Sequence, residues 1–132
     1  MGRGVARGAV AAVLAAAAGC GAAGAPAAPT VTGKELMEDV RQMLTFAAEN
    51  RIKTPTRPAE LEPVEPVAPL AGTAIRDGSV VYAWGSSLAP GGKSVVAYEK
   101  KAETEGGWVL LQDGAVREMT ADEFRAAPKA KK

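Results

Sequence analysis

Apolar positions in this chain first follow a helical spacing and then an alternating one. Over residues 32–52 the apolar side chains recur every three or four positions and form one stripe of a helix. They are Leu36, Val40, Met43, Leu44 and Ala47. The segment begins with Thr32-Gly33-Lys34-Glu35, a T-x-x-E capping box in which both side chains satisfy free backbone N–H groups. We therefore predict one amphipathic helix over residues 32–52.

Residues 54–69 contain five prolines, and those at 63, 66 and 69 recur every third position. Proline fixes φ and has no N–H, which favours an extended, polyproline II-like chain. We predict a stiff crossover, with one short turn at residues 58–61, that joins the helix to a sheet and adds little to the core. The alternative is a ligand for a proline-binding partner.

Residues 70–119 show the pattern of an antiparallel meander. Apolar side chains alternate over residues 79–84, a polar loop follows at 85–92, and three further strands are predicted at 94–100, 107–112 and 115–119. Asp113-Gly114 predicts a two-residue type I′ hairpin turn, and Asp77-Gly78 is a similar turn signal before the first strand.

The chain ends with a second capping box, Thr120-Ala121-Asp122-Glu123, which predicts a short helix that carries Phe124. The basic tail, residues 128–132, is expected to be frayed and solvated. The predicted fold class is α+β: one N-terminal amphipathic helix packed on a small antiparallel sheet of three to four strands, with a short C-terminal helix.

The N-terminus has the pattern of an export signal. Residues 1–8 carry two arginines and no acid, and residues 9–18 are an apolar run. Ten helical residues span about 15 Å, half of the roughly 30 Å core of a bilayer, so this run is too short to be a membrane-spanning helix.

Ala17-Ala18-Gly19-Cys20 resembles the lipobox of bacterial lipoproteins, with Ala17 where that motif usually has leucine. The resemblance implies lipidation of Cys20 and cleavage before it. This gives a signal peptide at 1–19, a lipid-anchored flexible tether at 20–31 and a domain at 32–127. Several acyl chains on one residue anchor a protein stably, whereas one alone does not. We expect the protein to be exported and anchored to a membrane, where it faces the periplasm or the cell surface. The alternative is a cut at an Ala-x-Ala site, which leaves a free thiol.

The amino-acid composition excludes several classes of catalytic and binding site. The 132 residues hold 16 Lys and Arg, 15 Asp and Glu, one Cys and no His. An internal disulfide and a Ser–His or Cys–His nucleophile are therefore excluded, and the balanced charge does not favour nucleic acid as a partner. The loop around residues 85–94 resembles a phosphate-binding loop, but residue 87 is serine instead of glycine and a strand follows, so we predict no nucleotide site.

Carboxylates occur in the pairs Glu103/Glu105 and Asp122/Glu123, where loop and cap roles are expected. Asp113 lies in no recognised calcium loop. We therefore predict no metal, no cofactor and no enzymatic activity.

The order of elements, one N-terminal helix, a proline-containing crossover and a small antiparallel sheet, resembles the soluble part of type IV pilins and type II secretion pseudopilins. Residues 96–100 (VAYEK), 106–116 (GGWVLLQDGAV) and 119–124 (MTADEF) resemble the C-terminal part of prepilin-type H-x9-D-G proteins. Asp113-Gly114 matches the D-G of that motif, whereas Glu103 stands where its histidine belongs. The resemblance implies a pilin-like module of one helix on a small sheet, here placed on a lipid anchor.

Three functions follow as hypotheses. The first is a non-enzymatic, membrane-tethered lipoprotein with a structural or interaction role in the cell envelope, whose partner is an envelope or secretion-apparatus protein. Cys20 and an exposed loop at 85–92 would carry that role. The alternative is a small peptide- or ligand-binding module that uses an exposed sheet edge at 79–84 or 115–119. The third is a hydrolase with a deep pocket of converging carboxylates.

Overall fold

The computed structural model describes residues 31–131, and its first helix, α1, covers Gly33–Glu49. The capping box is confirmed, because the Thr32 N–H donates to Glu35 Oε2 at 2.7 Å and the Glu35 N–H donates to the Thr32 hydroxyl at 3.2 Å. The helix ends three residues earlier than predicted, since Arg51 adopts a left-handed conformation with φ of 56°. The predicted signal peptide, Cys20 and the tether up to residue 30 lie outside the described residues.

The proline-rich segment is compact, so the prediction of an extended crossover is wrong, whereas the short turn predicted at residues 58–61 is present. It forms two 3₁₀ turns, Pro58–Leu61 and Glu65–Val67, with a proline in the first or second position of each. A 3₁₀ helix and polyproline II both have three residues per turn, so prolines at every third position fit either. The segment also adds to the core, because Leu61, Val64 and Ala68 are fully buried.

A second helix, α2 (Pro69–Asp77), occupies a stretch that the sequence assigned to the meander. Proline at its first position is favourable, because the missing N–H would have no partner there. The carboxylate of Asp39, on α1, accepts the Ala71 N–H at 2.8 Å and so caps α2 from a distant part of the chain. Gly78 ends the helix with φ of 88°, so the Asp77-Gly78 signal marks a helix end.

Four antiparallel strands follow in the spatial order β1-β2-β3-β4. They are β1 (Val80–Tyr82), β2 (Val95–Glu99), β3 (Gly107–Leu111) and β4 (Val116–Met119). Each predicted strand is present and is one to three residues shorter than expected. A bulge shifts the pairing of β2 with β3 between Val95 and Ala97.

Both faces of this sheet are covered. On one face, side chains such as Val80, Val96 and Leu110 pack with the buried sides of α1 and α2. On the other face, Val109 belongs to a second cluster together with Phe124. Because successive side chains of β3 alternate between the clusters, this central strand is buried on both sides.

The hairpin between β3 and β4 turns at Asp113-Gly114, but the predicted type I′ turn is wrong. Gly114 has φ of 94°, whereas Asp113 does not have a positive φ. The Gly114 N–H donates to the Leu111 carbonyl at 2.9 Å, and Leu111 pairs with Ala115. This is a three-residue loop with glycine in the left-handed position, the commonest alternative to a two-residue turn.

The C-terminal helix, α3 (Ala121–Ala126), begins at the predicted capping box of Thr120 and Glu123. The tail does not fray over residues 128–130. Val95 donates its N–H to the Pro128 carbonyl at 2.8 Å, and Lys129 binds the Ala127 carbonyl at 2.6 Å. The α+β class with a short C-terminal helix is confirmed. Within residues 31–131, no helix is long and apolar enough to cross a bilayer.

Candidate functional site

The loop of residues 85–92 packs against the domain over part of its length, so the prediction that it is exposed is wrong there. Ser86 is 6% exposed, Leu88 packs on the core, and the Ala89 N–H donates to the Gln112 carbonyl at 2.7 Å. The Tyr82 hydroxyl donates to the Ser86 carbonyl, and burial raises the pKa of Tyr82. This part of the loop closes the end of the core.

The Ser86 hydroxyl itself is buried and makes no hydrogen bond within residues 31–131. Leaving a buried hydroxyl without a partner costs free energy. Ser86 does not line any of three surface grooves formed by the described residues, which lie along α1, beside β4 and next to the first 3₁₀ turn.

Three of the four paired carboxylates have local partners. Glu103 lies 2.9 Å from the Lys100 amine, and Asp122 lies 2.5 Å from the guanidinium of Arg125. Glu123 accepts the Thr120 N–H at 3.0 Å, which confirms the predicted cap role. No group of three His, Cys, Asp or Glu side chains in the described part of the chain could hold a metal ion.

The two terminal strands of the sheet have different outer edges. On β1, the Ala83 N–H donates to the Val96 carbonyl at 2.8 Å. The alternation of an antiparallel ladder then turns the N–H and C=O of Val80 and Tyr82 away from β2. These two residues are only 2% and 3% exposed. The protein itself covers this edge. Helix α2 contacts β1, and the Pro55 carbonyl accepts the N–H of Gly85, just beyond the strand, at 2.8 Å.

The outer edge of β4 is open. The Leu111 N–H donates to the Ala115 carbonyl at 2.8 Å, so the alternation turns the N–H and C=O of Val116 and Glu118 away from β3. Glu118 is exposed and Val116 is half-buried. Within residues 31–131 these outward groups make no hydrogen bond. An extended chain placed beside β4 would therefore find free donors and acceptors.

A shallow groove of about 420 Å³ lies at the end of this open edge, and we call it the β4 groove. It is lined by Lys101, Glu105, Gly106, Gly107, Glu118, Met119, Thr120 and Glu123. Gly106 has φ of 87°, and a Cβ at this position would lie 2.7 Å from the Met119 carbonyl oxygen. Glycine is therefore required for the chain to approach β4 this closely.

Negative charge dominates the lining of the β4 groove, which has three carboxylates and one amine. The Thr120 backbone N–H, and secondly its side chain, hold the pKa of Glu123 below its usual value. Outside the lining, the Arg117 guanidinium lies 3.7 Å from a Glu123 oxygen, with both side chains about half exposed. The groove is therefore anionic at neutral pH.

A larger hollow of about 480 Å³ runs along the outer side of α1, between Glu38 and Glu49, and reaches Val67. The Gln42 side chain donates to the Val67 carbonyl across it at 3.0 Å. Backbone groups in the middle of a helix bond within the helix, so this hollow offers a ligand little beyond side chains. The edge of β4 differs because its backbone groups are free.

The sequence predicts both edges as candidate binding sites, but it does not predict the residues of the β4 groove. The distribution of charge in the sequence distinguishes the open edge from the covered one. Residues 79–84 carry no charged side chain, whereas β4 carries Arg117 and Glu118 side by side. Charged side chains are common on exposed edge strands, where they limit aggregation.

Comparison with known protein families, with curated proteins and with solved structures gives no match.

Proposed function

We propose that this chain is an exported, membrane-tethered lipoprotein that binds a partner protein at the open edge of β4 and is not an enzyme. The difference between the two terminal strands carries the proposal. The outward groups of Val80 and Tyr82 are covered, whereas those of Val116 and Glu118 face solvent. Addition of a strand to such an edge needs main-chain hydrogen bonds and few specialised side chains.

The membrane tether rests on the N-terminal sequence. A basic start, a short apolar run and Cys20 after small residues support export and lipidation. With the domain beginning at Thr32, the Gly-, Ala- and Pro-rich tether would hold the domain near the membrane surface. The partner is therefore a protein of the cell envelope, such as a component of a secretion apparatus. The pilin-like resemblance of residues 95–124 stays a prediction.

The anchor is tested in cells with a clickable fatty-acid probe. We expect wild-type chain to carry the label and to fractionate with membranes, and Cys20→Ala to lose both properties. An unlabelled, water-soluble wild-type chain would contradict the anchor and leave the proposal for the β4 edge in place.

The edge is tested in the same membranes with a photo-crosslinking amino acid at position 117 of the full chain. We expect an adduct with a partner at this position and none at position 45, an exposed site on α1. Adding Glu118→Pro removes one outward N–H, so it should abolish the adduct. Equal crosslinking from positions 117 and 45, or an adduct that persists with Glu118→Pro, would refute binding at the edge.

A further inference from the structure

We infer, on the premise of the proposed binding at the edge, that the partner segment is an extended strand with a Lys or Arg opposite Glu118, and that the β4 groove receives this basic side chain. Glu118 has two roles in this arrangement. Its N–H and C=O face the open edge, and it is one of the residues that line the β4 groove.

The register determines which residue of a partner strand meets the groove. On β4, the residues that present outward backbone groups are Val116 and Glu118. A fifth strand in antiparallel pairing therefore places the residues whose backbone groups face β4 opposite these two. Side chains directly opposite one another across a ladder have Cβ atoms about 4.5–5.5 Å apart. The partner residue opposite Glu118 therefore lies beside Glu118, at the β4 groove.

The negative charge of the β4 groove favours a basic partner residue opposite Glu118. The groove carboxylates are Glu105, Glu118 and Glu123, and the single amine is that of Lys101. An acidic partner residue would meet like charge directly opposite, which is destabilising, whereas a basic one would form an opposite-charge pair. A Lys or Arg also has an apolar stem that can lie along nearby surface while its charged head stays near the carboxylates.

A second copy of this chain is a poorer occupant of the edge. Because Val116 and Glu118 alone offer outward groups, symmetric antiparallel pairing of two β4 strands must be centred on residue 116, 117 or 118. Centring on 117 places the two Arg117 side chains opposite each other, and centring on 118 does the same for the two Glu118 side chains. Both arrangements pair like charges, which is destabilising. Centring on 116 sets Glu118 opposite Gly114, in the turn. A different, basic strand avoids all three conflicts.

The test uses the full chain in detergent solution and a library of random ten-residue peptides displayed on phage. We expect the selected peptides to carry Lys or Arg within an alternating apolar pattern. Synthetic copies should bind Glu118→Lys roughly 5-fold more weakly than wild type, since the opposite-charge pair becomes a like-charge pair. Glu49→Lys, an equal charge change on α1, is the matched control and should leave the affinity unchanged.

The remaining outcomes separate this inference from the proposal on which it rests. Peptides without a basic preference that still lose binding to Glu118→Pro would overturn the inference and support binding at the edge. Peptides whose affinity changes with neither Glu118→Pro nor Glu118→Lys, or a selection with no enriched peptide, would overturn both. Circular dichroism of each variant shows whether it is folded, and Glu118→Gln, which changes only the charge, replaces Glu118→Lys if that variant is not.

Discussion

Proline substitutions at two adjacent positions of β4 should have opposite consequences for stability. In the observed register the Arg117 N–H points toward β3 and pairs with Val109, whereas the Glu118 N–H points outward. Proline removes the N–H at whichever position it occupies. We therefore expect Arg117→Pro to destabilise the domain and Glu118→Pro to be tolerated, as proline is on edge strands when its nitrogen faces solvent.

The burial of Val109 sets the size of this difference. Val109 is 0% exposed, so Arg117→Pro leaves its carbonyl without a partner and without access to water. A buried group left unpaired in this way costs about 1–3 kcal/mol. Glu118→Pro changes an exposed position, where substitutions usually alter stability by about 0.5 kcal/mol or less.

Thermal unfolding of the full chain, followed by far-UV circular dichroism, measures both effects. For a domain of this size, 1 kcal/mol corresponds to a shift in Tm of about 4–8 °C. Arg117→Pro should therefore lower Tm by at least about 4 °C, and Glu118→Pro should change it by no more than about 4 °C. Arg117→Ala and Glu118→Ala serve as controls for loss of the side chains, including the ion pair of Arg117 with Glu123.

The opposite order of stabilities would refute the assignment of inward and outward groups. If Glu118→Pro unfolded at a lower temperature than Arg117→Pro, the ladder would have to be displaced by one residue. The Val116 and Glu118 backbone groups would then face β3, and the edge proposed for binding would present Arg117 and Met119 instead.

Three further substitutions test other contacts that hold the domain together. Asp39→Ala should lower the free energy of unfolding, measured in urea, by about 1 kcal/mol, because α2 loses its cap. Asp39→Asn keeps an oxygen acceptor, so it should lower the free energy of unfolding by less. Equal losses for the two variants would argue against capping. Thr120→Ala should raise the pKa of Glu123 part of the way toward its usual value in a ¹³C NMR titration, because the side-chain contribution is lost while the larger contribution of the Thr120 backbone N–H remains. Since that pKa is lowered in the folded state, the stability that Glu123 contributes is present above its usual pKa and is lost as pH falls through the lowered one. An unchanged pKa would count against a contribution from the Thr120 side chain. Lys129→Ala should lower the free energy of unfolding by about 0.5–1 kcal/mol, because the Lys129 amine lies 4.2 Å from the centre of the Phe124 ring. Lys131→Ala, the control, should not change it measurably. Equal effects of the two substitutions on stability would indicate that the Lys129 side chain is solvated.

Local sequence signals predicted the elements whose determinants lie close together in the chain. Both capping boxes need only residues three positions apart, and both are present as predicted. The same holds for the strands, where alternation and turn residues are local. The turn after β3 was located correctly but assigned the wrong type, since Asp113 can occupy either kind of turn.

Determinants far apart in the sequence explain what was missed. The first turn of α2 is capped by Asp39, 32 positions before Ala71, so no local cap marked its start. The role of Gly33 is also non-local. A Cβ there would collide with the Glu99 carboxylate, which accepts the Trp108 N–H at 2.7 Å. Neither contact could be read from a local pattern.

The difference between the two edges arises from the lengths of the connections. The chain between α1 and β1 contains two 3₁₀ turns and α2, which is enough structure to bury the outer side of β1. By contrast, a single residue, Thr120, joins β4 to α3, and α3 has six residues whose Phe124 packs into the cluster on one sheet face. Such a connection cannot reach around to the edge, so the outward groups of Val116 and Glu118 stay open. The proline-rich segment was predicted to be a spacer. Because it helps to bury the outer side of β1, β4 is the terminal strand whose edge is available to a partner.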